Sequence, residues 1–167
     1  MSIDSPCDWE GRRWGNDPQR PRPPLLATGG ALSALLAVLH VAVIVIGPPA
    51  YRFFGAPDEF ALQAESGSLV PALLTAIFAA IFGLWAAYGF AGARMIPRLP
   101  LIREGLALIA GVYILRGLSA IPEAVALLRT PGAFPPRFLV FSIMSLLIGV
   151  CYAAGTRQAW RRLRYRH

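Results

Sequence analysis

The chain has no lysine, two cysteines, two histidines, and no acidic residue in three of its four long apolar runs. Each shortage excludes something. Cys7 and Cys151 form no Cys-x-x-Cys pair, which a membrane thiol–disulfide oxidoreductase needs. Both are expected on the reducing side of a membrane, so no disulfide is expected. The histidines are His40, inside the first run, and His167, the last residue. A haem held by two buried histidines therefore lacks its second ligand. Zinc at His40 would need further Cys, His or carboxylate ligands near it, and the runs supply none. No metal and no cofactor is expected. Charged residues make up only 15% of the chain, against about 25% in a soluble domain.

Apolar residues fill the gap, at 56%. They are concentrated in the runs Leu25–Gly47, Leu69–Gly92, Leu99–Ile121 and Phe138–Gly155. Each has about the 17–25 residues that carry a helix across a hydrocarbon core of ~30 Å. None alternates apolar with polar residues as a barrel strand must, and a helix satisfies its own backbone within lipid. The expected fold is an all-α membrane protein, a four-transmembrane-helix bundle. Residues 1–24 read as a disordered polar tail, 25–155 as the transmembrane domain, and 156–167 as a basic tail. The first run is about twice the length of a signal-peptide core and is followed by three more, so it reads as an uncleaved span.

All 16 basic residues are arginine, and the net charge is +7. Their placement explains the basicity without nucleic acid. Twelve lie in the two tails or around the connection between spans two and three (Arg94, Arg98 and, just inside span three, Arg103); Arg52, Arg129 and Arg137 lie on the other side, and Arg116 lies deeper within span three. The positive-inside rule then puts both termini in the cytoplasm. An arginine-only chain rich in Ala, Gly and Pro fits a GC-rich bacterial genome, and so a multi-pass protein of the bacterial inner membrane. The partners expected are the lipid bilayer, with anionic headgroups against the arginine-rich side, and a second membrane protein or another copy of this chain.

Prolines punctuate the connections. Gly47-Pro48-Pro49 ends span one, Asp58–Glu65 reads as a short surface helix, and Pro122 should kink the outer end of span three. Thr130-Pro131-Gly132-Ala133-Phe134-Pro135-Pro136 breaks regular structure before span four.

Two patterns could carry function. Two sets of small residues recur at four-residue spacing in span two, Ala72, Ala76, Ala80 and Ala79, Gly83, Ala87, Ala91, which lets neighbouring backbones approach. This spacing makes Gly83 a packing position and leaves Ala86 outside it. The second pattern is one of depth. At 1.5 Å per residue, Arg116 and His40 lie at similar levels in the outer half of the membrane, with Thr75, Ser142 and Ser145 in the same slab. Glu123, seven residues beyond Arg116, is its expected charge partner. These six residues are the candidate polar cluster. Transmembrane serines ordinarily hydrogen-bond to backbone, so Ser–His catalysis is not expected, and the chain reads as no enzyme. The leading expectation is a non-catalytic accessory or scaffold subunit. The alternative is a small transporter or ligand-binding protein with an outward pocket around Arg116 and His40. In topology alone, residues 25–155 look like small four-helix bacterial inner-membrane proteins. The chain departs from small four-helix multidrug transporters at their key residue, since span one holds no carboxylate.

Overall fold

The computed structural model describes residues 24–129, 135–160 and 163, and within them the protein is helical throughout. Seven helices follow in order: α1 (Pro24–Ile46), α2 (Pro48–Phe54), α3 (Asp58–Glu65), α4 (Val70–Gly92), α5 (Ile102–Leu118), α6 (Ala120–Arg129) and α7 (Pro136–Ala159). Four segments are long and apolar enough to cross a membrane: α1, α4, α5 continued by α6, and α7. The N-terminal tail and most of the C-terminal tail lie outside the described residues, as does the Pro-Gly segment 130–134.

The four long segments form one ring. α1 packs along α4 and α5 along α7; α1–α7 and α4–α5 contacts close it. One end carries the start of α1, the 93–101 turn and the end of α7, and is here the turn end. The other carries α2, α3 and α6, and is the cap end.

The bundle has little interior. Leu35, Val45, Leu73, Leu108 and Leu115 are each more than 60% exposed, pointing away from the other helices. Apolar surface on this scale far exceeds the few hundred Å² that a water-soluble monomer leaves open. Lipid is the solvent that removes the cost.

The helix ends follow from local chemistry. Gly47 sits at φ 77°, a conformation that favours glycine, and separates α1 from α2. The two prolines that stop α1 also begin α2, because the first turn of a helix needs no N–H donors. α2 is therefore an element that reading Pro48-Pro49 only as a terminator misses. The helix Asp58–Glu65 is present with those bounds. It is more than a surface ornament: Ala61 is fully buried against Val43, Ala50 and Tyr51 in a small second core. Arg52 joins Glu65 across it at 2.8 Å, and this hydrogen bond holds the Glu65 carboxyl below its ordinary range.

Span three starts later than the apolar run does, because Arg94 and Leu101 take positive φ in the turn before it. It also breaks at Ser119. Pro122 brings no N–H and crowds the carbonyl four residues back, at Leu118, so the helix parts just beyond that residue. α6 then continues to Arg129. Span four is longer than the run 138–155, reaching from Pro136 to Ala159.

Small residues do set the helix contacts, though on a different face of α4 from the one the four-residue spacing picks out. Gly83 is exposed, and a Cβ there would meet nothing within 4 Å. Ala86 is buried at 4% exposure, and its carbonyl lies against Gly30 of α1. Gly89 is the closest approach: an added Cβ would lie 2.6 Å from the Gly30 Cα. Of the four residues expected to pack, only Ala91 is fully buried; Ala79 and Ala87 are half-buried. The interface follows Thr75, Phe82, Ala86, Gly89 and Ala93, alternating steps of three, four and seven as a 3.6-residue helix requires. The same device joins α5 to α7, where a Cβ on Gly117 would lie 2.6 Å from Leu146 and one on Gly149 2.8 Å from the Ile114 backbone nitrogen.

Candidate functional site

Two polar centres lie inside the bundle. The first is at the cap end, where α5 gives way to α6. The Arg116 Nη1 donates to Ser119 Oγ and, at 2.7 Å, to Ser142 Oγ on α7. The same nitrogen lies 3.7 Å from Glu123 Oε1. Ser119 Oγ is 2.7 Å from the Arg116 carbonyl and 3.2 Å from Glu123 Oε1, and can donate to one of them at a time. Ser142 is fully buried, 3.0 Å from Ser119 Oγ. Glu123 keeps 14% of its side chain exposed and Arg116 48%. The second carboxylate oxygen, Glu123 Oε2, is buried with no protein partner.

Of the six candidate residues, five chosen by depth and Glu123 as the charge partner of Arg116, the structure brings together Arg116, Glu123 and Ser142. It leaves the others apart. His40 Nδ1 lies 2.7 Å from the Leu36 carbonyl of its own helix, and its ring packs 4.9 Å from that of Phe82. Thr75 donates to the Pro71 carbonyl at 2.8 Å, and Ser145 to that of Phe141 at 2.9 Å. The reason is angular. α1 and α5 stand diagonally in the ring, so equal depth does not bring His40 near Arg116. Ser119 completes the cluster, and depth alone does not single it out. Its signal is spacing: it lies three residues after Arg116 and four before Glu123, on one helix face.

The second centre is at mid-bundle. Ser33 Oγ on α1 is 3.0 Å from Tyr113 OH on α5 and 3.1 Å from Tyr152 OH on α7. Tyr152 OH donates to the Trp85 carbonyl on α4 at 2.8 Å. That last bond fixes the direction of the rest, because each hydroxyl has one proton. Tyr113 donates to Ser33, Ser33 to Tyr152, and Tyr152 to Trp85. Every span contributes one member. Tyr113 and Tyr152 stack at 6.0 Å with 10° between their planes, and Trp85 meets Tyr113 edge-on at 5.0 Å. Gly89 makes the chain possible: it stands four residues after Trp85, and a Cβ there would lie 2.9 Å from the Tyr152 hydroxyl.

The one hydroxyl set against a carboxylate among the bonds described is Ser119 Oγ, 3.2 Å from Glu123 Oε1, and among the described residues no three His, Cys, Asp or Glu side chains group to hold a metal. No protein-family model, curated protein or solved structure matches the chain.

The contacts of Arg116 converge on a single nitrogen, which sets an expected substitution pattern. Arg116→Leu removes the cation and leaves Glu123 poorly compensated. A hydrogen bond to a charged group contributes about 1.5–3 kcal/mol, and half-exposure of Arg116 puts the loss toward the lower end. Arg116→Lys should recover more than half of that loss, since one ammonium with three donors can meet the same acceptors. The double variant Arg116→Leu/Glu123→Leu should be more stable than Arg116→Leu alone, because no carboxylate is stranded. Thermal unfolding in detergent measures all three. A lysine variant as unstable as the leucine variant would mean that the planar fork matters.

Proposed function

We propose that this chain is a small multi-pass protein of a bacterial inner membrane, with both termini in the cytoplasm, acting without catalysis as an accessory or scaffold subunit. One observation carries the reading. Most polar groups inside the spans are engaged within the protein: Arg116 with two serines and Glu123, His40 with its own backbone, and Ser33 with two tyrosines. A transporter or enzyme needs such groups held open toward a substrate. The arginine distribution supports the orientation. Outward-facing apolar side chains on every span supply surface for a membrane partner.

A second reading has its own support. Glu123 Oε2 is buried without a protein partner, and the neighbouring Arg116 is half exposed. A small transporter or binding protein with an outward pocket would use such a pair.

Cysteine labelling on intact cells tests both readings and the orientation. With Cys7 and Cys151 replaced by serine, single cysteines are placed at Ser66, Ser33 and Ser142. A membrane-impermeant thiol reagent should label only position 66. Labelling at 142 would favour the pocket over the scaffold. Silence at 66 in intact cells, with labelling after lysis, would reverse the orientation.

A further inference from the structure

A groove opens between α5 and α7 at the turn end, with a volume of about 610 Å³. It falls within the ~300–1,000 Å³ range of small-ligand clefts. Ala107, Ala110, Gly111, Ile114 and Ala153 form its apolar walls, and Thr156, Arg157 and Trp160 its mouth. We propose that this groove holds one anionic phospholipid, its acyl chain along α5 and its phosphate at Thr156 and Arg157.

Three observations point to that occupant. The first is Thr156. It is only 5% exposed, and its hydroxyl is buried without a partner in the protein. Elsewhere in this chain a helical threonine bonds to the carbonyl four residues back: Thr28 to Pro24 at 3.0 Å, and Thr75 to Pro71 at 2.8 Å. Thr156 makes no such bond, although burying a hydroxyl unpaired is unfavourable. Its oxygen has no open surface in this rotamer, so rotation of the side chain toward the groove is what brings it to a phosphodiester oxygen, the acceptor it lacks.

The second is charge. Arg157 is exposed at the groove mouth. Arg103 lies with its guanidinium carbon 3.8 Å from the centre of the Trp160 ring, which holds that ring in place as the outer wall. Indole rings and arginines belong at the headgroup level of a membrane.

The third is shape. The apolar wall runs from Ala107 to Ile114, seven residues or ~10 Å along the helix axis, about two thirds of one leaflet. That is too short for a partner helix, which would seat along most of a span. It suits a single chain with a charged head. Gly111 gives the groove its depth, since a Cβ there would meet nothing within 4 Å. This proposal depends on the chain lying in a bilayer, not on the scaffold reading or on which side the turn end faces.

The test uses the full chain purified in mild detergent. Phosphatidylglycerol, phosphatidylcholine or inorganic phosphate is added, and retained adducts are read by native mass spectrometry alongside the melting temperature. Phosphatidylglycerol should be retained as one molecule per chain and raise the melting temperature. Phosphatidylcholine and inorganic phosphate should do neither. Gly111→Leu puts bulk into the groove from a position where an added Cβ meets nothing within 4 Å, and should abolish retention. Gly83→Leu, the same change at an open glycine on another face, should leave it intact. Arg157→Gln should weaken it about fivefold, from the ~1 kcal/mol per arginine at an anionic surface, and Thr156→Val should weaken it with the fold unchanged. If Gly111→Leu does not purify, the Arg157 and Thr156 variants decide the matter. Equal retention by all variants would overturn the proposal. So would equal binding of phosphatidylcholine, a response to phosphate alone, or a lipid-free dimer lost in Gly111→Leu.

Discussion

Gly89→Leu should prevent the bundle from assembling. The Cβ alone would lie 2.6 Å from the Gly30 Cα and 2.8 Å from its nitrogen. These are backbone atoms of α1, which cannot swing aside as a side chain tip can. The α1–α4 pair must part, and the rest of the leucine side chain widens the gap. Inserting bulk into a packed interior costs about 1–3 kcal/mol and sometimes more; a backbone clash belongs at or beyond the top of that range. The loss also spreads, because separating α1 from α4 pulls Ser33 and the Trp85 carbonyl away from Tyr152. Gly83→Leu in the same helix should be tolerated within about 0.5 kcal/mol, as a surface change away from any contact. The fraction of each variant that stays monodisperse after heating in detergent is the measurement. Similar survival of the two would show that α1 and α4 do not meet at Gly30 and Gly89.

The second large effect is expected at Tyr152. Its side chain is fully buried, stacks on Tyr113, and links Ser33 to the Trp85 carbonyl. Tyr152→Ala opens a cavity where all four spans meet, and truncating a large buried aromatic costs about 3–5 kcal/mol. Tyr152→Phe isolates the hydroxyl. Hydrogen bonds between membrane helices are worth on average about 0.6 kcal/mol and at most about 1.7, so the phenylalanine variant should keep most of the stability. Melting temperatures of the two variants separate packing from hydrogen bonding. Equal losses would assign the stability of this centre to its hydroxyls, against the argument from volume.

The contrast between these two positions and Gly83 marks what the chain reveals before it is folded. Spans are legible because length and hydropathy are one-dimensional properties. Breaks are legible because proline acts on its own helix, and Pro122 parts α5 from α6 a few residues upstream. Rotation about the helix axis is different. These helices are apolar all round, so hydropathy marks no inward face. Glycine and alanine occur on several faces of α4, and the set Ala79, Gly83, Ala87, Ala91 cannot be told from the true interface by spacing alone. The polar cluster divides in the same way. Depth comes from counting residues, and it places His40 and Arg116 at one level. Azimuth does not, and the structure sets them on diagonal helices. Arg116 and Glu123 lie on one segment, seven residues apart and across the break at Ser119, and their side chains come within 3.7 Å. Tyr113 escapes notice because it stands in an apolar run and shows its polar end only to Ser33 on another span.

The mid-bundle chain of hydroxyls also bears on how the protein is made. Ser33 and Tyr152 are 119 residues apart in sequence. At ~5–20 residues per second of synthesis, Ser33 is translated about 6–24 s before Tyr152. α1 and α4 can dock earlier through Gly30 and Gly89, with the Ser33 hydroxyl still lacking both tyrosines. Until α5 brings Tyr113, and then α7 brings Tyr152, that half-built pair carries a serine hydroxyl without its tyrosine partners. It is the stage at which a membrane chaperone, or a wrong helix, has its opportunity to bind.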